Sequence, residues 1–278
     1  MLVLANFSYS QLLDSVFVSE FEKQAFENFN TDSSLKSQLS LFMATSEGMN
    51  SSKFETQYEE LLTFNRENQL GQSPKKLFHM VQDSFLGVYQ EAASMNELFT
   101  DSIFSCVTGS ALMAFYLQLN NFECEIEEMP EHVFLTTEFR NKTYLLESTD
   151  PKFGFLKDNK VNRNYYGPDS LDNNHIFKLI SSYSHLNKGG ILIRNEITLY
   201  ELAGLNYYND AVQAVNNNNL AVAAKALEKA LYLYPSKRIT EMYKYCLIQL
   251  IDDKSIDFDR RSLYLNRLSS LSYPLSMN

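Results

Sequence analysis

"PEHVFLTTEFRNKTYLLESTDP", residues 130–151, reads as two short strands around a polar turn. "HVFLTTEF" and "TYLLEST" carry the β-branched and aromatic content of strands, and "RNK" supplies the turn between them. His132 opens the first strand, while Glu147 and Asp150 close the second. Folding the hairpin therefore brings an imidazole beside a carboxylate, and the register decides which one. With Arg140 and Asn141 as a two-residue loop, His132 faces Thr149. Glu147 is then a diagonal neighbour on the same face, roughly 7–8 Å away by backbone and within reach of a long side chain. With a three-residue loop over residues 140–142, Asp150 stands opposite His132 instead.

A nucleophile is legible upstream. In "DSIFSCVTGSALMAFY", residues 101–116, Cys106 sits where a helix should begin. A thiol at a helix N-terminus feels the positive end of the dipole, which favours thiolate. The unpaired amides there can also stabilise a developing oxyanion. Cysteine on a helix, then histidine and carboxylate on neighbouring strands, is the order that thiol catalysis uses: His132 takes the proton, and Glu147 (or Asp150) steadies the imidazolium. "SPKKLFHMVQDSFLGVYQEAA", residues 73–93, precedes it as a helix with Ser73 as N-cap and Pro74 at its first position. Leu77, Val81, Phe85, Val88 and Ala92 recur on one face of it. Gln90 and Tyr89 on that helix are the candidates for a second oxyanion donor.

The chain resembles the transglutaminase-like superfamily, whose third motif is roughly aromatic-x-x-Asp-x-Thr. "YLLEST" supplies Tyr144-x-x-Glu147-x-Thr149, and Cys106 and His132 fall on the other two motif positions. The similarity covers roughly residues 75–155, and its spacing favours Glu147 over Asp150. Glutamate replaces the usual aspartate, tyrosine the usual tryptophan, and "FSC" the usual Gly-x-Cys. The resemblance implies an α+β, papain-like core: a helical N-terminal part with the cysteine helix against a small antiparallel sheet. It implies thiol-dependent acyl transfer on peptide amides through a thioester, by a protease or amidase if water accepts the acyl group and a transglutaminase if an amine does. The alternative is an inactive fold of this kind that binds protein or peptide.

A helical half resumes near Ile197. Tyr207, Ala211, Ala223 and Ala230, counted back from Pro235, give the small-residue spacing of a tetratricopeptide repeat, with "NNNN" at 216–219 as its turn. Isolated repeats bury too little, so this all-α module is expected to pack on the first domain or on a protein partner. The expected division is a signal-like leader over 1–11, a cysteine domain over 12–190 and the helical module over 191–278.

Composition narrows the classes. Glycine (9) and proline (6) are scarce, which argues for helices, and the net charge is −10 with a pI of about 5.0. A nucleic-acid partner is not expected, because no basic face is present. The longest apolar run, residues 111–117, is too short to span a bilayer. "MLVLANFSYSQ" resembles the tail of a secretory signal, so export to a periplasm or medium is slightly favoured over a cytoplasmic location. Cys106, Cys124 and Cys246 contain no CxxC, and no metal site or cofactor is expected; a bond between Cys106 and Cys124 is one pairing open to an exported chain. Glu123, Glu125, Glu127, Glu128 and Glu131 read first as a solvated strand edge; if they line the cleft, they favour cationic substrates. His79, His175 and His185 have no partner pattern.

Overall fold

The computed structural model describes residues 16–46, 48–129, 132–158 and 195–272. The expected leader, Glu131, His175, His185 and the rest of residues 159–194 lie outside them. In chain order the elements begin with α1 (Glu20–Phe29), α2 (Leu35–Met43), α3 (Ser51–Asn68), α4 (Pro74–Phe85), β1 (Val88–Tyr89) and α5 (Met95–Asp101). They continue with β2 (Ile103–Phe104), α6 (Cys106–Leu119), β3 (Glu125–Met129), β4 (His132–Glu138), β5 (Thr143–Leu146), β6 (Phe155–Asp158) and β7 (Asn195–Ile197). Four helices close the described chain: α7 (Leu199–Asn216), α8 (Leu220–Leu233), α9 (Lys237–Asp252) and α10 (Phe258–Ser272). The class is thus mixed helical and sheet, with a small antiparallel sheet.

The chain forms two compact units, one built from residues up to Ser51 with Tyr200 onward, the other from Ser52–Leu199. The first unit corrects the expected boundary, since α1 and α2 belong with the C-terminal helices and not with the cysteine. Glu22 on α1 is fully buried and accepts from Lys229 Nζ at 2.8 Å and from the Tyr207 hydroxyl at 2.9 Å. Phe26 packs against Tyr207 and Tyr232, with ring centroids 5.6 and 5.8 Å away. A buried carboxylate needs its cationic partner, and here that partner is supplied from α8. The asparagine run makes the turn into α8: Asn218 takes φ 57°, and the Asn219 side chain caps the helix by accepting from the Val222 amide. Glu228, Tyr243 and Arg267 tie α8, α9 and α10 together, with the Tyr243 hydroxyl 3.2 Å and the Arg267 guanidinium 3.1 Å from the Glu228 carboxylate.

In the second unit α6 is the central helix, buried from Val107 to Leu117, as its all-round apolar sequence requires. The sheet has strand order β6-β5-β4-β3-β7, antiparallel throughout. The β4–β5 turn has Arg140 at φ 52° and Asn141 at φ 59°, the pair of left-handed residues that a two-residue hairpin loop demands. Phe139 and Lys142 exchange backbone hydrogen bonds of 2.9 and 3.2 Å across it. Leu135 therefore pairs with Leu146 and Thr136 with Leu145, and continuing that register sets His132 opposite Thr149.

Two expectations fail in this unit for identifiable reasons. Helix α4 stops at Phe85 because the Gly87 and Val88 amides both donate to the Ser102 carbonyl at 2.9 Å, drawing the chain into a parallel pairing with β2. Val88, 61% exposed, and Ala92 thus leave the helical face, and Tyr89 and Gln90 are not helical residues. The glutamates of β3 are not on a sheet edge: the strand is paired on both sides, and Glu127 and Glu128 are buried.

Candidate active site

Ser105 caps α6. Its hydroxyl accepts from the Thr108 amide, and Thr108 Oγ1 accepts from the Ser105 amide at 2.9 Å, a reciprocal capping box. The Ser105 hydroxyl also donates to the Ala93 carbonyl at 3.2 Å. These bonds fix the helix start and so place Cys106, half-buried, in the first turn, where backbone amides have no intrahelical partner.

His132 is the first residue of β4. The Ser110 hydroxyl donates to the Val133 carbonyl at 3.3 Å, stitching α6 to the start of that strand. His132 and Glu147 are both buried, and His132 Nε2 is hydrogen-bonded to Glu147 Oε2. Glu147 Oε1 accepts from the Thr149 amide at 2.9 Å and from its hydroxyl at 2.7 Å. Cys106 hydrogen-bonds to the same imidazole. With Nε2 engaged by the carboxylate, Nδ1 is the ring nitrogen left for the thiol. Burial alone would lower the His132 pKa; its hydrogen bonds to Cys106 and Glu147 and the charge on both outweigh that and raise it to about 10. The raised pKa favours the imidazolium over the neutral ring.

Cys106, His132 and Glu147 thus come together in one chain of contacts. Asp150 does not join them: its carboxylate accepts from the Lys152 and Phe153 amides at 3.1 and 2.8 Å and shapes the turn after Thr149. All three cysteines are free, so the Cys106–Cys124 bond is not formed. Burial pushes the Cys124 thiol up to about 12, with Glu125 adding to the shift, and Cys246 to about 11. Tyr89 and Gln90 lie on or just past β1, with the Gln90 amide donating to the Phe104 carbonyl at 2.8 Å, two residues before Cys106. The Tyr89 ring meets the buried Phe104 edge-on at 5.9 Å, and the Tyr89 and Gln90 side chains are exposed. His79 packs edge-on against Phe78.

Sequence reasoning passed over the residues that hold this geometry. Gln82 lies on the buried face of α4 with Leu77, Phe78 and Val81, and an amide among apolar positions was the available signal. Gly109 lets α6 approach the Glu147 turn: a Cβ there would stand 3.0 Å from Ser148 Cβ and Oγ. Among the described residues no group of three or more His, Cys, Asp and Glu side chains is placed to hold a metal ion, and no helix is long and apolar enough to cross a membrane. No protein-family model, no curated protein and no solved structure matches the chain.

Proposed function

We propose that the Ser52–Leu199 unit is a transglutaminase-like cysteine acyltransferase, with Cys106 as nucleophile, His132 as acid and base, and Glu147 as the carboxylate that orients the imidazole. The observation that carries this reading is the continuous contact from Cys106 through His132 to Glu147 at the capped start of a helix. An imidazolium beside the sulfur favours thiolate. The thiolate attacks an amide carbonyl carbon, forming the C–S bond, and the resulting oxyanion meets amides of the first turn of α6. His132 gives its proton to the leaving nitrogen as the C–N bond breaks, leaving a thioester. Water or an amine then attacks, His132 takes its proton, and the thiolate departs. Glu147, held by Thr149, keeps the ring oriented through both steps.

The test is acyl trapping. The full-length protein is treated with p-nitrophenyl acetate at pH 6.5 and its peptides are read by mass spectrometry. Acetylation should fall on Cys106 far ahead of Cys124 and Cys246, and His132→Ala should suppress it. Equal labelling of the three cysteines, or labelling indifferent to His132, would sink the enzyme reading in favour of a binding fold.

A further inference from the structure

We propose that Gln82 is a positioning residue of the Cys106–His132–Glu147 site, acting through the single peptide group that joins Ser148 to Thr149. The inference rests on the acyl-transfer reading above. Gln82 is buried on α4, and its Nε2 donates to the Ser148 carbonyl at 2.6 Å. The N–H at the other end of that same peptide group belongs to Thr149, and it donates to Glu147 Oε1 at 2.9 Å. A peptide group is planar and stiff. Anchoring its oxygen from α4 therefore fixes the direction in which its N–H points, and with it one oxygen of the carboxylate. The second oxygen carries His132, which in turn meets Cys106. A hydrogen bond at the carbonyl also polarises the opposite N–H, strengthening its bond to Glu147.

The surroundings make this anchor matter. Ser148 is fully buried, and α6 approaches it closely at Gly109. Leucine or methionine would suit the apolar face that Gln82 occupies. Instead the chain places an amide there whose Oε1 is buried with no hydrogen-bond partner among the described residues, a burden on stability that an apolar side chain would avoid. What the amide supplies in return is one donor, and that donor acts on the peptide that holds Glu147.

The experiment follows the alkylation of Cys106 by iodoacetamide from pH 5 to 10 in the full-length protein, comparing the native sequence with Gln82→Met and His132→Ala. Methionine keeps the length and apolar packing of Gln82 and removes the donor. Gln82→Met should slow alkylation about tenfold at pH 6, where reactivity depends on an aligned imidazolium, and leave it unchanged near pH 10, where the medium supplies the thiolate. A Gln82→Met protein with a lower melting temperature but the native pH profile overturns the positioning role. If His132→Ala shifts the profile and Gln82→Met does not, only the Gln82 proposal falls. If His132→Ala leaves the profile in place, the acyl-transfer reading falls and takes the proposal with it. Gln82→Leu carries the same comparison should the methionine variant fail to fold, because it too removes the donor from an apolar face.

Discussion

Gly154→Ala tests whether the turn after Glu147 is as constrained as the site requires. A Cβ on Gly154 would lie 2.2 Å from the Glu147 carbonyl oxygen and 2.3 Å from that of Asp150, against 3.4 Å or more for ordinary contact. Both are backbone atoms, so no rotamer change relieves the clash, and each carbonyl must retreat by about 1 Å. The same carbonyls accept from the Asp150 amide at 3.2 Å and the Gly154 amide at 2.8 Å, while the Glu147 amide donates to Gly154 at 2.7 Å. Overpacking of this kind costs about 1–3 kcal/mol and one lost backbone hydrogen bond about 1 kcal/mol, offset by about 0.5–1 kcal/mol because alanine restricts the unfolded chain. The net expectation is a loss of about 1–3.5 kcal/mol, or roughly 3–12 °C in melting temperature for a unit of this size. Thermal unfolding by circular dichroism measures the first consequence. The second is local: moving Glu147 should also slow Cys106 alkylation at pH 6. A variant that melts within about 2 °C of the native protein and alkylates at the native rate would refute the reasoning.

Two other expectations are simpler. His132 is raised to about 10 in the folded protein against about 6.5 unfolded, so its contribution to stability is complete below pH 6.5 and drains away as the pH rises toward 10. Urea midpoints across that window should fall with pH in the native protein and lose that component in His132→Ala; identical slopes would contradict the assignment. In the other unit, Glu22→Ala leaves the buried Lys229 ammonium without its carboxylate and should cost about 3–5 kcal/mol, much of it restored by adding Lys229→Met. A double-mutant cycle showing two independent, additive losses would argue against that pairing.

The parts of the site that were legible in sequence were those fixed by local rules. Cys106 at the head of an apolar run marks a helix start, and a two-residue loop at Arg140 and Asn141 sets the register that brings Glu147 toward His132. Local rules do not reach further than that. The period through Val88 and Ala92 continues a helix that the Ser102 carbonyl in fact ends, because tertiary hydrogen bonds outweigh a weak periodic preference. Glu127 and Glu128 look like surface residues until β7 pairs on the far side of β3. Gln82 depends on a turn 66 residues away, and nothing near it in sequence announces the bond. The grouping of α1 with α7 and α8 hangs on Glu22 meeting Lys229 and Tyr207, a match between positions that no window of sequence contains.

That last pairing has a consequence during synthesis. Glu22 and Lys229 are 207 residues apart in the chain. At about 5–20 residues per second, α1 leaves the ribosome roughly 10–40 s before the lysine that neutralises its buried carboxylate and the tyrosine that covers Phe26. The Ser52–Leu199 unit is contiguous and emerges complete in that interval, so it can fold first. For that time Glu22 and Phe26 lack the side chains that partner them in the folded unit. Order of synthesis and order of closure thus differ: α1 and α2 are translated before the Ser52–Leu199 unit, yet their own unit closes after it.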